Sequence, residues 1–357
     1  MAGQPATAQV PARDALAAAV ARAVARAGAA DLPAMAGLRQ QALAAFTERG
    51  LPDTKVEAWR YTDLAGYATR LSAHLAQLEE PAAGAPAGEL PPALAGAPRL
   101  ACIDGRWSDP PDLAGVRFGR LSDPATAPRC AAALEAAAAG RGLDPLGALN
   151  LALLDDALLV EVADDTALSQ PLVLVLGDSG RRVAGQARLQ FRLGRGSSAT
   201  VIIHQQHTTM VNAVLEFDCA TGARLACARI QRDADQALHL TASSFTLADD
   251  AGLEFLSVDL GAGLARHDSH VRLAGRGARA SVLGLQLAGG HRHLDNRSRL
   301  EHLAPATTSR ERFHGIADGH GHAVFSGLVL VHPEARGTDA RLTNRNLLLT
   351  GTAEIDS

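Results

Sequence analysis

From about residue 150 the sequence settles into short apolar runs separated by glycine turns, and this alternation limits the available folds more than any other feature. The runs LLVEV, PLVLVL, ATVIIHQQ, AVLEF, ASVLGLQL and AVFSGLVLV are rich in Val, Ile and Leu and show little helical period, so they read as strands. The turns recur as FRLGRGSSATVI, FDCATGARLACA, FTLADDAGLEFL, VRLAGRGARASV and HGIADGHGHAVF. Aligned on Gly196, Gly222, Gly252 and Gly277 they are spaced 26, 30 and 25 residues apart, and Gly321 follows 44 further on, past an irregular turn at Pro305. A degenerate period in the twenties, each unit a strand, a turn and another strand, is the signature of a β-solenoid, whose coils bury their apolar faces only by stacking. An all-β sandwich is the competing architecture.

The first part of the chain is different. Residues 12 to 49 read as helical: Leu16, Val20 and Val24 repeat every four residues, and after Asp31, a candidate N-cap, Met35, Leu38, Ala42 and Phe46 share a face. Gly50 and Pro52 should stop that helix. The stretch PAAGAPAGELPPALAGAP carries five prolines and no apolar period, as a linker does. The expected organisation is a helical segment over 1–80, a linker over 81–98, a mixed α/β connection over 99–149 and the solenoid over 150–357. With aromatics at 3%, an aliphatic core is expected.

A net charge of −4 and scattered arginines argue against nucleic-acid binding. The first apolar run is broken by Arg22 and Arg26, so neither a signal peptide nor a membrane span is read there, and a cytoplasmic location is expected. Cys102, Cys130, Cys219 and Cys227 form no CxxC; Cys219 and Cys227 could be a redox or metal pair, but buried thiols acting as small apolar groups are the expectation.

Several catalytic readings fall away. GRGSSA, GRGARA and GHGHAV imitate a dinucleotide loop, but strand-like residues follow each where a helix N-terminus is required. The only lysine, Lys55, follows Thr54, which excludes a P-loop, and HExxH and GxSxG are absent. Histidine carries the strongest chemical signal. In HRHLDNRSRLEH, strand alternation would place His291, His293 and Asp295 on one face, with His302 following, and imidazole with carboxylate suits zinc or iron. HGIADGHGH adds His314, Asp318, His320 and His322. Against this, alternate polar residues also mark the wet face of a half-buried strand.

The stretch PDTKVEAWRYTDL resembles the N-terminal signature of the SufB/SufD family, on its SufD side, with Lys55, Glu57, Trp59, Arg60, Tyr61 and Thr62 in order. Further similar stretches follow: IDGRW, LGALNLALLDDALLVEV, SQPLVLVL, ARHDSHVRLAGRGA, HLDNRSRLEHLAP, TSRERFHGIADGHGHAVFSGLVLVHPEA and TDARLTNRNLLLTGTAEIDS. The resemblance implies a right-handed parallel β-helix flanked by helices, acting as a non-catalytic scaffold in SUF iron–sulfur cluster assembly and iron acquisition. It further implies a SufB paralogue paired through the β-helix, a SufC ATPase bound through C-terminal helices, and a cluster and reduced flavin belonging to the assembled complex. Lys55, Glu57, Trp59, Arg60 and Tyr61 are then a structural signature: an aromatic anchor in an ion-paired turn that docks the N-terminal helices. Arg341 stands where the family usually has glutamine. In the family the chain runs on past the equivalent of Ser357 into a segment with a cysteine and a cluster-ligating histidine, and then the helical domain; by that comparison these lie outside this sequence. A β-helix enzyme acting on polysaccharide and a stand-alone His/Asp metal-binding protein are the alternatives; dispersed carboxylates weigh against the first.

Overall fold

The computed structural model describes residues 13–27, 33–77, 96–180 and 184–357. Most of the 81–98 linker, and Asp31, lie outside the described residues.

Two nine-stranded sheets face each other. The first holds β1 (Arg99–Ile103), β2 (Arg106–Trp107), β5 (Leu172–Gly177), β7 (Ser198–Gln206), β9 (Arg224–Gln231), β11 (Gly252–Asp259), β13 (Arg279–Ala288), β15 (Thr308–Ala317) and β17 (Asp339–Leu348). The second holds β3 (Val116–Arg120), β4 (Leu158–Val162), β6 (Ala184–Leu193), β8 (Met210–Cys219), β10 (Leu238–Leu247), β12 (Leu264–Leu273), β14 (His293–His302), β16 (His322–Val331) and β18 (Glu354–Asp356). From β4 onward the chain alternates between sheets and each strand pairs in parallel with its equivalent one coil away, which makes the body a β-solenoid. The sheets begin earlier than expected: β1 lies parallel to β5, and β3 antiparallel to β4, so residues from Arg99 already belong to them.

The repeat is set by one backbone position. Asp165, Gly196, Gly222, Asp250, Gly277, Ala306 and Gly337 all have positive φ, between 53° and 74°. The N–H of each of the first six donates to a carbonyl in the next coil, as Gly222 does to Asp249 and Gly277 to Pro305. In two coils the alignment on glycine therefore misses the corner: Asp250, not Gly252, holds the left-handed position, and Ala306 holds it in the Pro305 turn. The Gly321 turn belongs to the opposite edge, joining β15 to β16, which is why it fell out of spacing.

Inside the coils the corner half is apolar. Phe191, Phe217 and Phe245 stack through β6, β8 and β10 with ring centroids 5.8 and 4.9 Å apart. The few aromatics are thus concentrated in the core, with Phe255, Phe313 and Phe325 also buried there. Toward the other edge the interior is polar, lined by buried Gln231, Arg229, Asp259, His239, His267 and Asn296. All four cysteines are buried and free. Burial raises their thiol pKa values, to about 12 at Cys219, so they act as small apolar groups.

Helices α1 (Arg13–Ala27), α2 (Pro33–Arg49), α3 (Ala65–Gln77), α4 (Ala127–Arg141) and α5 (Pro145–Ala152) build a second core. Leu16, Val20, Val24, Met35, Leu38, Ala42 and Phe46 are buried in it, as their spacing predicts, together with outward-facing Met210, Leu238 and Leu240 of the second sheet. Gly50, at φ 66°, closes α2 by donating to the Phe46 carbonyl. Among the described residues, no helix is long and apolar enough to cross a membrane.

Candidate functional site

The signature stretch crosses from helix to sheet. Asp53 Oδ1 accepts the Lys55 backbone N–H at 2.9 Å, and a 3-10 turn over Glu57–Trp59 follows. Trp59 is buried, with the Arg266 guanidinium 3.8 Å above its ring. That is the expected anchor, and a cation–π contact strengthens it. The expected ion pairing differs: Lys55, Glu57 and Arg60 are exposed, and among the described residues no salt bridge joins them to an opposite charge. Tyr61 is also exposed, with Arg60 5.5 Å from its ring.

The residue that completes the joint is Thr62, fully buried three positions after Trp59. Its hydroxyl donates to Asp295 Oδ2 at 2.5 Å and lies 2.9 Å from His293 Nε2. Arg266 donates to the same Asp295 oxygen at 2.5 Å and to both oxygens of Asp268. One arginine thus binds the tryptophan face and two carboxylates. Thr62→Val keeps the shape but leaves Asp295 and His293 short of a partner, so it should lower unfolding free energy by about 1–3 kcal/mol in a denaturant titration.

The four metal-ligand candidates do not converge. His291 sits in the turn before β14, not on the strand, and stacks on His320 at 4.9 Å with the rings 5° from parallel. His293 and Asp295 do share the outward face, but Asp295 is taken by Thr62 and Arg266. Strand alternation sends His302 into the solenoid, where Thr307 and Ser309 hydroxyls lie 2.8 and 2.9 Å from its ring nitrogens. Coil stacking brings the two histidine-rich stretches together instead. His293 and His322 are register partners with Nδ1 atoms 3.1 Å apart, and His322 Nε2 lies 2.8 Å from Asp356 Oδ2. Burial, then the neighbouring His322, lower the His293 pKa to about 4, which keeps its ring neutral.

A second cluster was not legible in the sequence. His207, Asp233 and His239, from three separate segments, meet at the polar edge of the interior and are all buried. His207 Nδ1 is 3.1 Å and His239 Nδ1 2.5 Å from Asp233. A metal is disfavoured by the far side of His239, where Arg229 Nη2 lies 3.3 Å from Nε2. Arginine only donates, so Nε2 is an acceptor and the ring proton sits on Nδ1, pointing at Asp233. Gln231 and the His207 backbone N–H also donate to that carboxylate. The Asp233 carboxylate is thus held by four groups, although His239 Nδ1 meets it at short distance outside hydrogen-bond geometry.

These features define a class: a parallel β-solenoid whose N-terminal helices are fastened along one sheet by a tryptophan–threonine joint. A family model described as the SufBD core domain of SUF-system FeS cluster assembly matches residues 175–357, and one for the SufBD protein N-terminal region matches residues 21–81. The chain belongs to the SufBD family. It is 28% identical to the iron–sulfur cluster assembly protein SufD of Escherichia coli over 89% of this chain and 75% of that one. It is 31% identical to an iron–sulfur cluster assembly SufBD family protein of Mycobacterium leprae, and 32% identical to one of Mycobacterium tuberculosis, each match covering 60% of this chain and 56% of the relative. The chain thus spans little more than half the length of these mycobacterial relatives.

Proposed function

We propose that this chain is a scaffold subunit of SUF iron–sulfur cluster assembly, without turnover of its own. In this reading it pairs with a SufB-like paralogue through the solenoid and works beside a SufC-like ATPase, with the cluster as cargo of the complex. The observation that carries the reading is the joint of Trp59 and Thr62 on Arg266, Asp268 and Asp295. It unites the N-terminal and core regions, which the family models match separately, into one structural unit. Pairing through the solenoid is also supported by the outer face of the first sheet, where Leu256 and Leu283 are exposed side by side on paired strands.

The test is co-purification under anaerobic conditions of the tagged chain with SufB-type and SufC-type proteins from the same genome. A stable assembly is expected, with ATPase activity that requires the SufC-type protein. Elution of the chain alone in the presence of excess partners would withdraw the reading.

A further inference from the structure

We propose that the facing Nδ1 atoms of His293 and His322 form a surface site for a divalent transition-metal ion of the zinc type. The site goes beyond the assembly reading and stands on side-chain geometry alone. The two residues open β14 and β16 on adjacent coils, so in-register stacking holds their rings together.

The positions of the ring protons follow from the outer nitrogens. Thr62 has one hydroxyl proton, and the Asp295 oxygen 2.5 Å away, already paired with Arg266, can only accept it. The Thr62 oxygen must therefore accept from His293 Nε2 at 2.9 Å, which puts the His293 proton on Nε2 and a lone pair on Nδ1. On the other side, Asp356 Oδ2 faces His322 Nε2 at 2.8 Å and again accepts, so Nε2 carries that ring's proton. With both rings neutral, their Nδ1 lone pairs would meet across 3.1 Å, the rings standing edge to face at 78°. That contact is repulsive unless a positive species lies between them. The interior His239 shows the opposite arrangement, with its proton aimed inward.

The geometry suits a metal. Two Zn–N bonds of about 2.0–2.1 Å at a tetrahedral angle separate the nitrogens by roughly 3.3–3.4 Å, a few tenths more than the separation here. Histidines that ligate metals usually donate their other N–H to a carboxylate or another oxygen, as both rings do. Imidazole donors favour zinc, copper, iron and nickel over magnesium or calcium. The His322 and Asp356 side chains are 22% and 37% exposed, so water reaches this end of the pair. Two protein ligands are fewer than the three or four of resident zinc sites, which makes the bound ion exchangeable.

The chelator-stripped full chain is titrated with Zn2+ against a chromophoric competitor, and the zinc-loaded chain is examined by X-ray absorption. One equivalent is expected, with two imidazole nitrogens at about 2.0–2.1 Å. His322→Ala should abolish that equivalent. Asp356→Ala should weaken it about 10–100-fold, and His291→Ala should leave it intact. The proposal is overturned if the parent chain holds no Zn2+ at micromolar free metal, in which case a proton on His322 fills the gap. It is equally overturned if His322→Ala binds as the parent does. Should His322→Ala fail to fold, the absorption spectrum of the parent decides: fewer than two imidazoles sinks the assignment.

Discussion

Arg229→Ala is expected to lower the unfolding free energy by about 3–5 kcal/mol, measured by guanidinium titration with circular dichroism. Arg229 is fully buried inside the solenoid, 2.8 Å from Asp259 and 3.0 Å from the Ser257 hydroxyl. Removing it leaves the Asp259 carboxylate buried, with Asn296 at 3.1 Å as a remaining donor. The cost is that of an uncompensated charge in a low-dielectric interior, not the net worth of the pair. Replacing both partners, as Arg229→Met with Asp259→Leu, should therefore recover most of the loss. A loss below about 1 kcal/mol for the single variant, the size of an exposed pair, would show that water reaches Asp259 and solvates it.

Glu311→Gln should stabilise the protein, and the gain should depend on pH. Glu311 points into the solenoid at 3% exposure, and neither carboxylate oxygen has a partner in hydrogen-bond geometry among the described residues. Burial pushes its pKa from 4.5 up to about 7, with the Ser298 hydroxyl offsetting part of the rise. The native state thus holds the proton more tightly than the unfolded chain. Well below pH 4.5 both states are protonated and ionisation adds no penalty. Stability falls as the pH rises from 4.5 toward 7, and the penalty is constant above that. At about 1.4 kcal/mol per pKa unit the full penalty is about 3 kcal/mol. The gap between variant and parent should accordingly grow from near zero at about pH 4 to about 2–3 kcal/mol at about pH 8. A gap that stayed constant with pH would assign the effect to packing rather than ionisation.

Much of the architecture is written locally. Each strand run and each corner turn is a contiguous stretch, so the solenoid and the α1–α2 face are legible from period alone. The corner itself is less so, because what repeats is a positive φ, and Asp250 and Ala306 adopt it without being glycine. The interior polar network is hidden for a different reason: within β9 the inward positions are Leu225, Cys227, Arg229 and Gln231, and nothing in that alternation says that the last two meet Asp259 and Asp233. The site was half legible. His293 was singled out by composition, but its partner His322 lies 29 residues away and is reached only through the register of neighbouring coils. His302 lies close to them in sequence, but strand parity points it inward. Thr62 stood in plain view within the signature, yet only the carboxylate it meets reveals what it does.

The helices and the signature turn outside the solenoid touch it at intervals along its length. Asn150 of α5 donates to carbonyls in β6 and β8, Arg70 of α3 donates to the Gln236 carbonyl ahead of β10, Trp59 meets Arg266 on β12, and Thr62 meets Asp295 on β14. A bare solenoid behaves as a one-dimensional chain of units, each coupled only to its neighbours, and it can fray one coil at a time. A brace fixed to five successive strands of one sheet converts that additive stack into a block that must open together. The coils it spans should therefore share a single hydrogen-exchange rate, while those beyond β14 exchange in sequence.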